Sequence, residues 1–175
     1  MKRIPALLLL AVLLGSATLF VASTTWTSSD KDYSVKFAGG KVEGTFSGLK
    51  STVVLDAEHP EKSKISASID ATTISTGNGT RDEHAMAEDA LNAAKFPVIT
   101  FESNSVEKKD NIYQASGILT MKGVSKEMTI PFAFAETGST GKLTGSFIVM
   151  PKDFGVTRGG TPEKVTIDLT IPYTK

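Results

Sequence analysis

An all-β fold of many short antiparallel strands, interrupted by one helix, follows from three observations. Apolar and polar residues alternate over most of the chain, turn-forming residues recur between the alternating runs, and a single segment carries three- and four-residue apolar spacing. Ile65, Ala67, Ile69 and Ala71 alternate with Ser66, Ser68 and Asp70. Met128, Ile130, Phe132 and Phe134 keep the same rhythm, as do Val165, Ile167, Leu169, Ile171 and Tyr173. A two-residue period puts one face on a core and the other in water, which antiparallel sheets allow and doubly covered parallel sheets do not.

The chain opens with Lys2 and Arg3, an apolar run over 4–14, small residues Gly15, Ser16 and Ala17, and a second apolar patch over 19–22. This is the form of a secretory signal peptide, so residues 1–23 are expected to be removed and residues 24–175 to form one exported domain, periplasmic or secreted. Ala17 and Ser23 are both suitable cleavage points. The alternative is an uncleaved anchor, since 4–22 approaches the ~20 residues of a membrane span, but Pro5, Gly15, Ser16 and Thr18 weaken it.

Strands are expected at 34–38, 42–47, 51–56, 65–71, 98–103, 112–121, 128–134, 142–150 and 165–173. Gly39-Gly40, Asp110-Asn111, Lys122-Gly123 and the stretch 138–141 punctuate them. Such a series makes either a sandwich or a barrel, and pattern does not choose between them. From Arg81 to Lys95 the period changes: Ala85, Met86, Ala90, Leu91 and Ala94 share one helical face. Thr80 with Glu83 forms a capping box, Asp82 and Glu83 suit the positive end of the dipole, and Pro97 blocks continuation. A helix over about 81–95 is predicted.

Composition narrows function. The chain has no cysteine, so an exported product has neither disulfides nor thiolate ligands, and packing and ladder hydrogen bonds must hold it together. Its formal charge is +0, and removing Lys2 and Arg3 leaves 17 basic against 19 acidic residues, about −2. Nothing gathers phosphates, so no nucleic acid partner is expected. Only His59 and His84 are present, in no metal-ligand spacing, and no metal is expected. No Gly-x-Ser-x-Gly elbow or cysteine nucleophile occurs, and Gly138-Ser-Thr-Gly-Lys142 has Leu143 where a phosphate loop needs Ser or Thr. No catalytic residue is assigned.

Arg81, Asp82, Glu83 and His84 form the densest polar cluster. Capping and sealing the helix end explain most of it, while a helix N-terminus beside Arg81 also suits an anionic or carbonyl oxygen. Small residues in the inward phase, namely Ala67, Ala71, Ala115, Gly117 and Gly145, fit either a strand lining a cavity or a tapering barrel.

The stretch 69–86 with its Arg-Asp-x-His helix head, the Lys95-Phe-Pro-Val-Ile-Thr-Phe101 strand, Gly44-Thr-Phe-Ser-Gly-Leu49, Ser116-Gly-Ile-Leu-Thr-Met-Lys-Gly-Val-Ser-Lys126 and Lys152-Asp-Phe-Gly155 together resemble the YceI-like family. The resemblance implies an antiparallel, lipocalin-like β-barrel of about eight strands with one short helix. It also implies no enzymatic activity and an interior tunnel for a polyisoprenoid, quinone or other long-chain lipid. On that basis the ligand-binding residues are expected to be Phe46, Ile69, Met86, Leu91, Phe101, Leu119, Phe132, Phe147 and Ile167, with Arg81, Asp82 and His84 at a polar end. Expected partners are a long-chain lipid or quinone, with homodimer formation and transient membrane contact compatible with such a carrier. Two departures stand out: Ala90-Leu91-Asn92-Ala93 replaces a bulky aromatic pair, and Pro151-Lys152 replaces a more regular Arg-x before Asp153-Phe-Gly155. The alternative is a solid barrel or sandwich that acts as a ligand-free interaction module at the envelope.

Overall fold

A computed structural model describes residues 23–175, so all of the predicted leader but Ser23 lies outside the described residues. Ten strands follow in order: β1 Thr24–Ser28, β2 Ser34–Gly39, β3 Val42–Phe46, β4 Lys50–Leu55, β5 Lys64–Asp70, β6 Val98–Lys109, β7 Ile112–Met121, β8 Val124–Thr137, β9 Thr140–Val149 and β10 Val165–Thr174. One α-helix, α1, spans Gly79–Met86 between β5 and β6. Every strand pairing is antiparallel.

The ring runs β1-β4-β5-β6-β7-β8-β9-β10 and closes where Thr27 and Ser28 of β1 meet Thr174 and Tyr173 of β10. Further along β10, Thr166–Thr170 pairs instead with Ser34–Ala38 of β2. β1 with β2, and β3 with β4, are therefore broken halves of two ring positions, giving a closed eight-strand barrel. β3 does not ladder with β5. It joins the segment after β5, where Thr45 and Ser75 exchange N–H···O bonds of 2.8 and 2.9 Å and the Thr73 hydroxyl donates to the Ser47 carbonyl at 2.7 Å.

Closure demands bends. At Ser103/Ser105 the β6–β7 register slips, and the Ser103 hydroxyl receives the Ile65 N–H at 2.8 Å. Gly117 faces this bulge, and a Cβ there would overlap the Glu102 carbonyl. Gly117 is thus small because two backbones converge, a bulge-and-glycine corner in a sharply coiled sheet.

The lower end, away from α1, is solid. Trp26 and Val106 are fully buried there, Trp26 meets Phe134 edge-on at 5.2 Å, and Phe134 lies 5.9 Å from Tyr173. Tyr113 stacks on Phe132 at 5.2 Å. Lys175 lies 4.7 Å over the Trp26 ring and pairs with Glu136 at 2.6 Å, sealing the plug with a cation over an aromatic face.

Several expectations need correction. β1 was not anticipated: Thr-Thr-Trp-Thr-Ser offers one large apolar residue, and its strand character comes from its partners β4 and β10. β6 and β8 extend well beyond 98–103 and 128–134. The helix ends at Met86 rather than Lys95, and its cap is Asn78, whose side chain accepts the Arg81 N–H at 3.1 Å, not Thr80. Ala87 turns extended (ψ 163°), and the following residues fold back so that Leu91 N–H reaches the Ala85 carbonyl at 3.0 Å and Ala93 N–H the Met86 carbonyl at 3.1 Å. Burying Ala90 and Ala93 in these turns overrides the helix propensity of the alanines.

Gly44 provides a direct test of the closure. A Cβ at Gly44 would overlap both the Ser75 carbonyl oxygen and the Phe37 ring. Gly44→Ala is expected to lower stability in urea unfolding by about 1–3 kcal/mol through overpacking. Gly79→Ala, in a helical position with open space around it, is expected to be neutral or stabilising by up to about 1 kcal/mol.

A candidate ligand-binding cavity

Above the aromatic plug the barrel is hollow. The cavity measures about 470 Å³, within the range of sites for small molecules. Alternate residues Val165, Ile167, Leu169, Ile171 and Tyr173 of β10 line it, so it follows that strand for eight steps, roughly 26 Å at ~3.3 Å each. A volume of this size drawn out over such a length makes a channel. Its walls are apolar: Ile65, Ala67 and Ile69 from β5, Ile99 and Phe101 from β6, Ala115, Leu119 and Met121 from β7, and Leu143, Phe147 and Val149 from β9. The two-residue period places these residues inside, because each inward residue is followed by one facing water.

Polar groups concentrate at the two ends. The mouth lies between α1, the β2–β3 hairpin and the loop from Arg158 to Pro162. Arg81 and His84 of α1 line it with exposed side chains that make no ion pair among the described residues. Arg158 ties two mouth segments together: its guanidinium meets the Asp89 carboxylate at 2.8 Å, while the Thr157 and Arg158 N–H groups donate to the Asp89 carbonyl at 2.9 and 3.0 Å. Ala90 and Leu91, beside Asp89, face the cavity. At the other end, the Ser51 and Tyr173 hydroxyls are 2.7 Å apart, and the Ser51 N–H donates to the Ser28 hydroxyl at 2.9 Å. Burial pushes the Tyr173 phenol up to about 12, opposed in part by the Ser51 hydrogen bond.

This geometry gathers most of the residues expected from the sequence. Phe46, Ile69, Leu91, Phe101, Leu119, Phe132, Phe147 and Ile167 all line the cavity, as do Arg81 and His84. Asp82 and Met86 do not. The Asp82 carboxylate is turned away to accept the Thr76 N–H at 2.7 Å and the Thr76 hydroxyl at 2.6 Å, which fixes the loop leading into α1. Met86 is the last helical residue, and the chain folds back across its carbonyl. Among the small residues, Ala67 and Ala115 face the cavity, whereas Gly117 is small because of the β6–β7 bulge. Ser51, Tyr173 and Arg158 were missed. The first two share the inward phase of their strands with Val53 and Ile171, which is a usable signal. Arg158 lies in an aperiodic loop and carries none.

The match to the YceI-like domain model extends over residues 25–173, from β1 to the Tyr173 end of β10. The chain belongs to the YceI-like family. Protein YceI of Escherichia coli O157:H7 is 32% identical over 134 residues, covering 73% of this chain and 70% of that protein. Protein YceI of Salmonella newport (strain SL254) is 31% identical over the same shares. Among solved structures, BcnA of Burkholderia cenocepacia superimposes with a TM-score of 0.78 at 21% identity, covering 83% of this chain and 98% of BcnA. A polyisoprenoid binding domain from Saccharophagus degradans has a TM-score of 0.69 at 12% identity, covering 85% and 97%. At such low identity these structures speak for the shared YceI-like barrel alone.

The buried phenol at the cavity's closed end sets a measurable pH response. An unfolded tyrosine ionises near 10.0, whereas Tyr173 in the fold holds its proton to about 12. Its stability contribution is therefore complete below pH 10 and is lost as pH rises through that window. Ultraviolet tyrosinate titration should show a late-ionising group that disappears in Tyr173→Phe. A Tyr173 that ionises at the ordinary tyrosine value would contradict this burial.

Proposed function

We propose that this YceI-like chain is a lipid-binding protein of the periplasm or extracellular space. It holds one long-chain amphiphile, an isoprenoid, quinone or fatty acyl derivative, in the barrel for transport, storage or protection. The observation that carries the reading is the channel itself: a long, mostly apolar interior, with Arg81, His84 and Arg158 toward the mouth and Ser51 and Tyr173 at the closed end. The family membership and the polyisoprenoid binding of the Saccharophagus degradans domain support the same ligand class. Binding would be driven by desolvation, at ~0.8 kcal/mol per buried CH2. Ten such groups give a gross term of roughly 8 kcal/mol, comparable to micromolar affinity before ordering costs.

This is a binding function with no bond made or broken. Among the described residues the channel walls carry no nucleophile paired with a base, and acid–base or covalent catalysis requires such a positioned set. A ligand-free interaction module is the less suitable reading, since a module of that kind needs a packed core and this barrel is hollow above its plug. Export rests on the leader-like residues 1–23.

Mass spectrometry of an organic extract of the protein, purified without detergent from its own source, is expected to show a stoichiometric long-chain lipid. Ala67→Phe, which projects a ring into the channel from β5, is expected to reduce retained lipid at least severalfold while leaving the β circular dichroism unchanged. An empty extract, with added isoprenoids and fatty amphiphiles also failing to bind, would overturn the proposal.

A further inference from the structure

The closed end of the channel contains a hydroxyl hydrogen with nothing to bond to. Ser51 and Tyr173 both line the cavity, are 6% and 1% exposed, and have their side-chain oxygens 2.7 Å apart. Two hydroxyls supply two hydrogens, and the bond between them uses one. The Ser51 N–H is spent on Ser28, and neither hydroxyl has a further acceptor among the described residues. The cavity lining is mostly apolar, and Ile65, Phe132, Leu143 and Ile171 within it have no side-chain acceptor. Buried polar groups in folded proteins are overwhelmingly paired, so the leftover hydrogen marks a place prepared for an oxygen from outside the chain.

We propose that the Ser51–Tyr173 pair is a head-group subsite for a neutral oxygen, a ketone, ester or alcohol, so that the amphiphile enters oxygen-first and leaves its chain toward the mouth. The inference rests on the lipid-binding reading and adds an orientation and a chemical class to it. The oxygen must be neutral because the closed end has one donor and no cationic side chain lining it. A carboxylate or phosphate there would lose its hydration without a compensating charge. The guanidinium groups that line the cavity, Arg81 and Arg158, stand at the opposite end, where an ionised head group would stay. A site built to donate one buried hydrogen bond also discriminates against a chain that lacks the acceptor, because the donor then stays unpaired.

The test uses three probes of equal chain length: a methyl ketone with a hexadecyl tail, octadecane and octadecanoate. Each is exchanged into the purified full protein and into the Ser51→Ala, Tyr173→Phe double variant. That variant removes both hydroxyls with little change of shape, and thermal unfolding checks its fold. The wild type is expected to bind the ketone about tenfold more tightly than octadecane, with the carbonyl stretch moved to lower frequency in the infrared. The double variant is expected to erase that advantage and the infrared shift while leaving octadecane and octadecanoate within about twofold. Equal affinity for ketone and alkane in the wild type, or an equal loss of all three probes in the variant, would overturn the subsite and leave the lipid-binding reading standing. Failure of all three to bind the wild type would overturn that reading itself.

Discussion

Barrel closure through β10 is the constraint on which the other features depend. This one strand is laddered to β9 along its whole length and on its other edge serves two partners in turn, β2 through its first half and β1 through its last residues. The switch is possible because the chain bends between Ser28 and Ser34, so that β1 and β2 present separate edges. An open sheet of this length would expose unpaired N–H and C=O groups along both outer strands, whereas closure removes those edges. Closure also creates the enclosed space. Ring size leaves more interior than the inward side chains fill, and Trp26, Tyr113, Phe134 and Tyr173 pack the end away from α1.

The unequal distribution of side chains divides the interior into plug and channel. Trp26, Tyr113, Phe134 and Tyr173 fill the lower part, while Ala67 and Ala115 leave the middle open. At the top, the barrel is covered by three segments that share few ladder bonds: α1 with the turns after it, the β2–β3 hairpin and the loop after β9. They are held by point contacts, chiefly Asp89 with Thr157 and Arg158, and Thr45 with Ser75. Regions held by a few exposed hydrogen bonds open at lower free energy than a continuous ladder, so the top is where the structure yields first.

Much of this was legible in the sequence because the barrel imposes one rule on every strand. Ile65, Ala67 and Ile69, or Val165 to Tyr173, must alternate to keep one face dry, so their inward members were found as strand residues, and Ile69 and Ile167 among them as channel residues. What was not legible depended on contacts between distant segments. The alanines from Ala87 to Ala94 have high helix propensity, and only the burial of Ala90 and Ala93 against the mouth makes them turns. Asp82 reads as a ligand-facing acid until Thr76, six residues earlier, is seen to occupy it. Thr24–Ser28 is too short and too polar to declare itself, and becomes a strand because β4 and β10 offer it two edges.

Trp26 is the single tryptophan of the chain, and its indole N–H is buried without a hydrogen-bond partner. Its ring is shielded from water, capped by the Lys175 ammonium and packed against Phe134, which in turn meets Tyr173, one aromatic layer below the channel. Its fluorescence is therefore an intrinsic optical reporter of the closed end. Emission shifts to the red when water reaches the plug. Quenching by a chromophore in the channel grows steeply as that chromophore approaches the floor, so occupancy and depth are readable without attaching a label.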